Sequence, residues 1–139
     1  MTPPTPSPGR RLGPLLARIV LGLTFTVFGL NGFLMFMPPP KVMPANVAAF
    51  MGEMMQTHYF LQMVAATQLL SGVLLLINRF VPLALAFLAP VIVNIILFHL
   101  FLQLSTIAPG IVVLLLEIYL AYSYRACFRS MLAAQASPS

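Results

Sequence analysis

The sequence predicts an all-α integral membrane protein, an antiparallel up-down four-helix bundle with a short amphipathic interfacial helix between helices one and two. Three observations carry that prediction. Of 139 residues, 60% are apolar and only 6% are charged, too few to cover a soluble domain. The apolar residues gather in four runs of about 18 to 23, each about 27 to 35 Å long as a helix, the thickness of a bilayer hydrocarbon core. Helices of a soluble bundle keep a polar stripe, and residues 69–77 and 83–93 show almost none.

Taken in order, residues 1–14 (MTPPTPSPGRRLGP) form a Pro-rich leader with little to bury, expected to be flexible and cytoplasmic. Helix one is expected over about 15–37. It reads as a retained helix, because Pro38, Pro39 and Pro40 follow it where a cleavable signal would show small residues. In the long loop beyond, Val47, Phe50, Met51 and Met54 share one helical face, which predicts the interfacial helix at about 46–56, with Asn46 as a capping residue. That helix suits equally a membrane-surface position or a lid over the bundle mouth. Helices two, three and four are expected at about 59–77, 80–102 and 107–124, joined by the short links INRFVP and LSTIAPG, which demand antiparallel neighbours. The four-helix domain thus covers 15–128, and a flexible cytoplasmic tail follows over 129–139. Pro82 and Pro109 fall at helix starts, whereas Pro90 falls two turns inside helix three and predicts a kink. Gly22, Thr26 and Gly29, with Ala65, Ser71 and Gly72, are small residues suited to close packing of helices one and two.

The sequence pI near 10.2 does not imply nucleic acid, because the cations sit at helix ends. Arg10, Arg11 and Arg18 precede or open helix one, Arg79 lies in the turn between helices two and three, and Arg125 and Arg129 follow helix four. With four spans these segments share a side, and the cytoplasmic bias of Lys and Arg puts both termini in the cytoplasm. A single cysteine, Cys127, excludes an intramolecular disulfide and dithiol chemistry within one chain.

Counted from the outer helix ends, Asn31 lies about 9 Å deep, Asn94 about 12 Å, Gln68 about 13 Å and Glu117 about 15 Å, with His99 shallower at about 5 Å. Each helix therefore contributes one polar group to one layer, and such groups should face one another or a watered cavity. An ionised Glu117 would be costly there, so the side chain is expected to be protonated or hydrogen-bonded to an amide such as Gln68. Asn31, Gln68, Asn94, His99 and Glu117 are the candidate ligand-binding or proton-relay residues. The same groups also suit a purely structural role as interhelical hydrogen bonds. His58 and His99 alone are poor grounds for haem, and with Glu53 they make no metal site.

The strings RIVLGLTFTVFGLNGF (18–33), NRFVPLAL (78–85), APVIVNIILFHLFL (89–102) and LLLEIYLAYSYRACFR (114–129) resemble those of the DoxX-like family, small four-helix bacterial membrane proteins. The resemblance runs from about Arg18 to Phe128, with Glu117 and Arg125 at positions that match the family pattern. It implies an inner-membrane location and a link to quinone-coupled sulfur oxidation or to membrane complexes handling thiol and oxidative stress. The lone cysteine departs from any thiol-exchange version, so electrons would pass through a quinone or a partner protein.

Two functions follow as expectations. One is an accessory subunit of a quinone-linked oxidoreductase, alone or as an oligomer, that binds a quinone or similar apolar ligand in the bundle beside membrane redox partners. The other is a non-catalytic membrane scaffold or assembly partner. Transport by the bundle is a weaker third reading. No catalytic motif is present, and no nucleic-acid partner is expected.

Overall fold

The computed structural model describes residues 8–134, all helix, turn and loop. Six α-helices follow in order: α1 (Pro8–Leu34), α2 (Ala45–Gln56), α3 (Phe60–Leu76), α4 (Val81–Leu102), α5 (Ala108–Ser123) and α6 (Arg125–Phe128), with a 3-10 turn at Leu104–Thr106. Helix α1 packs most extensively on α3, α3 on α4, α4 on α5, and α5 back on α1. The other elements fall within a residue or so of their expected bounds, and α1 differs most.

Helix α1 begins at Pro8, seven residues before the expected start at Leu15, so residues 8–14 are helical rather than an extended leader. Pro8 needs no amide partner in a first turn, which makes it a permitted starter. Residues 1–7 of the leader and 135–139 of the tail lie outside the described residues. The helix closes at Leu34 instead of 37. Met35 turns left-handed with φ 50°, and the Asn31 side-chain Oδ1 accepts the Met37 amide at 2.7 Å. Asn31 thus ends the helix before the three prolines can.

Helix α3 ends by a Schellman closure. Asn78 takes φ 57°, the Arg79 amide donates to the Leu74 carbonyl at 3.0 Å, and the Asn78 amide to Leu75 at 3.3 Å. Asparagine tolerates the left-handed turn, which lets the chain reverse into α4 within four residues. Pro90 falls within α4, whose helical assignment runs unbroken from Val81 to Leu102.

The α1–α3 seam depends on the small residues. A side chain at Gly29 would meet the Leu69 backbone nitrogen at 2.5 Å and its Cα at 2.7 Å, and one at Gly72 would meet the Thr26 amide nitrogen at 2.5 Å. Backbone touches backbone here, as close-packed membrane helices require. Beside the seam lies the apolar core, where Leu21, Phe25, Leu75, Leu85, Leu88, Ile92 and Leu120 are fully or almost fully buried.

Helix α2 crosses α3 at 90°. Asn46 does not cap it, since Pro44 holds that position; the Asn46 amide instead donates to the Leu102 carbonyl at 3.1 Å. With Val47 buried and the Phe50 and Phe98 rings 5.8 Å apart, α2 is tied to the end of α4.

Residues 12–34 of α1 and all of α4 are long and apolar enough to cross a membrane. The 17 residues of α3 and 16 of α5 are apolar but shorter, about 25 Å each.

Candidate functional site

The predicted polar layer does not assemble, although two of its members occupy informative positions. Glu117 is buried, with 7% of its surface exposed, on the face of α5 that carries Gly110 and Leu120 into the core. Its Oε2 has no hydrogen-bond partner. The expected bond from Gln68 is missing, and α3 and α5 are not among the closely packed helix pairs. Gln68 itself is half-buried.

Asn94 lies on the outside. The core face of α4 is formed by Val81, Ala84, Leu85, Leu88 and Ile92, and a residue two positions beyond Ile92 stands about 200° round the helix. Depth was predictable from residue counting, but rotation was not. Asn94 is exposed and lines a groove of about 380 Å³ between α3 and α4, walled by Phe60, Met63, Val64, Phe87, Pro90 and Val91 with the Thr67 side chain. The Thr67 hydroxyl is committed to the Met63 carbonyl at 2.9 Å, so the Asn94 amide is the free polar group of that groove. Pro90, one turn before it, has no amide to give the Ala86 carbonyl.

Asn31 is engaged in closing α1, as described. His99 is half-buried, and its Nδ1 lies 2.7 Å from the Ile95 carbonyl. A carbonyl can only accept, so Nδ1 carries the proton and only Nε2 remains open to another group. His58, with φ 60°, lines a separate groove with Gly32, Met35 and Leu61. Among the described residues no three His, Cys, Asp or Glu side chains gather to hold a metal ion, and no hydrogen bond joins any two of Asn31, Gln68, Asn94, His99 and Glu117.

The residue that sequence reasoning undervalued is Arg18. It reads as a flanking charge, yet it is 92% buried, with 8% exposed, and its Nη1 donates to the carbonyls of Leu75 and, at 3.4 Å, of Leu76. Those carbonyls lie at the end of α3, where the helix dipole is negative; the Asn78 amide already serves Leu75, and the guanidinium adds a charged donor there. The signal was present: Arg18 stands inside the apolar run, three residues past Leu15, and a charge so placed needs a buried partner.

Two helices fit to span a bilayer, packed with two further apolar helices and carrying buried polar side chains, define an all-helical membrane protein. A family model described as DoxX matches residues 13–100, and the chain belongs to the DoxX family. The match covers α1 through most of α4 and stops before α5, so Glu117 and Arg125 lie beyond it. No curated protein and no solved structure matches the chain.

Proposed function

We propose that this DoxX-family protein is an antiparallel four-helix bundle of the bacterial inner membrane, with cytoplasmic termini, acting as an accessory subunit that binds a quinone or similar apolar ring for partner redox proteins. The observation that carries the reading is the free Asn94 amide at the edge of the α3–α4 groove. An amide facing hydrocarbon lacks the hydrogen bonds water would provide, and a ligand that brings a carbonyl into an apolar groove supplies one. Asn94 Nδ2 would donate to a ring carbonyl, while Phe60, Phe87 and Pro90 would flank the ring. The ligand site moves from the bundle axis, where the sequence put it, to the membrane-facing side. Glu117 and His99 belong to this reading only as neighbours of the bundle interior.

The test is mass spectrometry and absorption spectroscopy of protein purified from its native membrane in mild detergent, beside Asn94→Leu and Glu117→Gln. A stoichiometric quinone retained by wild type and by Glu117→Gln but lost from Asn94→Leu is the expected result. An empty wild-type protein overturns it.

The scaffold reading has its own support in the polar groups that are already committed: Asn31 to a helix end, His99 to a carbonyl, Arg18 to two more. If wild type is empty and Asn94→Leu instead separates an oligomer or releases a partner protein, the same amide serves assembly.

A further inference from the structure

At the end of α5 the chain carries a concentration of positive charge that no acidic side chain neutralises. Arg125 and Arg129, with Ser123 and Ala126, line a cavity of about 560 Å³. The only acidic side chains in the sequence are Glu53 and Glu117. Glu117 is buried in the core, and Glu53 lies on α2, which is tied to the far end of α4. No ion pair therefore forms at this cavity from acidic side chains of the chain itself.

The two guanidinia are differently held. Arg125 lies with its Cζ 4.3 Å above the centre of the Tyr122 ring, and its Nη1 donates to the Tyr122 carbonyl at 3.0 Å. Ring and carbonyl together fix the plane of the group while leaving most of its five donors unused. Arg129, one helical turn on, is exposed and makes no hydrogen bond among the described residues. The Ser123 hydroxyl already donates to the Tyr119 carbonyl at 2.8 Å, so the arginines supply the free donors. Tyr119 and Tyr122 are exposed in the last turns of α5, as aromatic side chains are where a span meets the headgroup layer.

We infer that the Arg125–Arg129 cavity is a binding site for the phosphodiester headgroup of an anionic phospholipid. A planar fork matched to phosphate oxygens, a second cation one turn away and a tyrosine rim at a span end are the chemistry such a headgroup needs. The lipid provides an anion that no acidic side chain places there, and its acyl chains run along the apolar face of α5, where Ile111, Leu115 and Ile118 are exposed. The source is the bilayer, because the site opens beside the exposed face of an apolar helix.

The lone Cys127 sits between the two arginines and is exposed, so it can carry a reporter. The full chain, labelled there with a fluorophore, is reconstituted in phosphatidylcholine vesicles containing a trace of headgroup-nitroxide phosphatidylglycerol or, separately, headgroup-nitroxide phosphatidylcholine. Quenching by the anionic probe is expected to exceed that by the zwitterionic probe, and the preference to fall about fivefold for each arginine removed in Arg129→Gln and then Arg125→Gln/Arg129→Gln. Arg79→Gln removes the same charge at the α3–α4 turn and is expected to leave the preference unchanged. Equal quenching by both probes, an equal loss in Arg79→Gln, or abolition of the preference by inorganic phosphate at constant ionic strength would each overturn the assignment, the last by showing a free-anion site.

Discussion

The α1–α3 seam and the outward face of α4 deal with polar backbone and side chains in opposite ways. In the seam, Gly29 and Gly72 remove side chains altogether, so that neighbouring backbones meet. On α4, Pro90 removes a backbone donor and Asn94 adds an amide, and the surface beside them stays open as a groove. The first arrangement makes a fixed joint; the second leaves a polar group whose partner must come from outside the chain. The difference shows that small and polar residues at similar membrane depth do different work according to which way the helix is turned.

The largest effect should come from forcing the seam apart. Gly29→Leu places atoms against the Leu69 backbone, which cannot move aside, so a loss of about 3 kcal/mol or outright misfolding is expected in thermal melts followed by circular dichroism. The matched control is Gly52→Ala in α2. A side chain there meets nothing within 4 Å, and a gain of up to about 1 kcal/mol is expected from helix propensity. Equal melting of the two variants would remove the seam as the structural joint.

Next comes Arg18→Met, which keeps an unbranched apolar stem and removes the guanidinium donor from the Leu75 and Leu76 carbonyls at the end of α3. A loss of about 1 to 3 kcal/mol is expected, with Arg18→Lys intermediate. If Met melts like wild type, the arginine is not holding the end of α3.

Glu117→Leu tests the other buried ionisable side chain. Because Oε2 has no partner, the apolar replacement should change stability by no more than about 1 kcal/mol in either direction. A loss well beyond that would reveal a partner for the carboxylate that the fold alone does not supply. Smallest of all, Asn94→Leu should leave the melting of the isolated chain within about 0.5 kcal/mol of wild type while removing the bound ligand. A strongly destabilised Asn94→Leu would place that amide with the seam residues, as part of the structure.

Much of this architecture can be read without coordinates. The lengths of the apolar runs locate α3, α4 and α5 to within a residue, and the three-and-four spacing around Val47 locates α2. The small residues at 22, 26, 29 and 72 identify the seam, because only close backbone packing gives them a common purpose. The start of α1 is harder to read: a Pro-rich leader looks extended, yet proline is acceptable in a first helical turn, and nothing local separates the two outcomes. Asn31 and Asn46 show the same limit on a smaller scale. Both are capping-type residues, but Asn31 closes α1 through a backbone amide six residues later, and Asn46 bonds a carbonyl 56 residues away.

By itself the amino-acid sequence determined that the chain is helical, membrane-embedded and a DoxX-family protein, because span length, charge placement and local strings are properties of a linear polymer. Only the tertiary structure decided which polar groups point inward. Rotation about each helix axis depends on how neighbouring helices pack, and about 100° per residue turns one position of error into a different environment. That is why Glu117 is inside, Asn94 is outside, and Arg18, which reads as a flanking charge, holds the end of another helix.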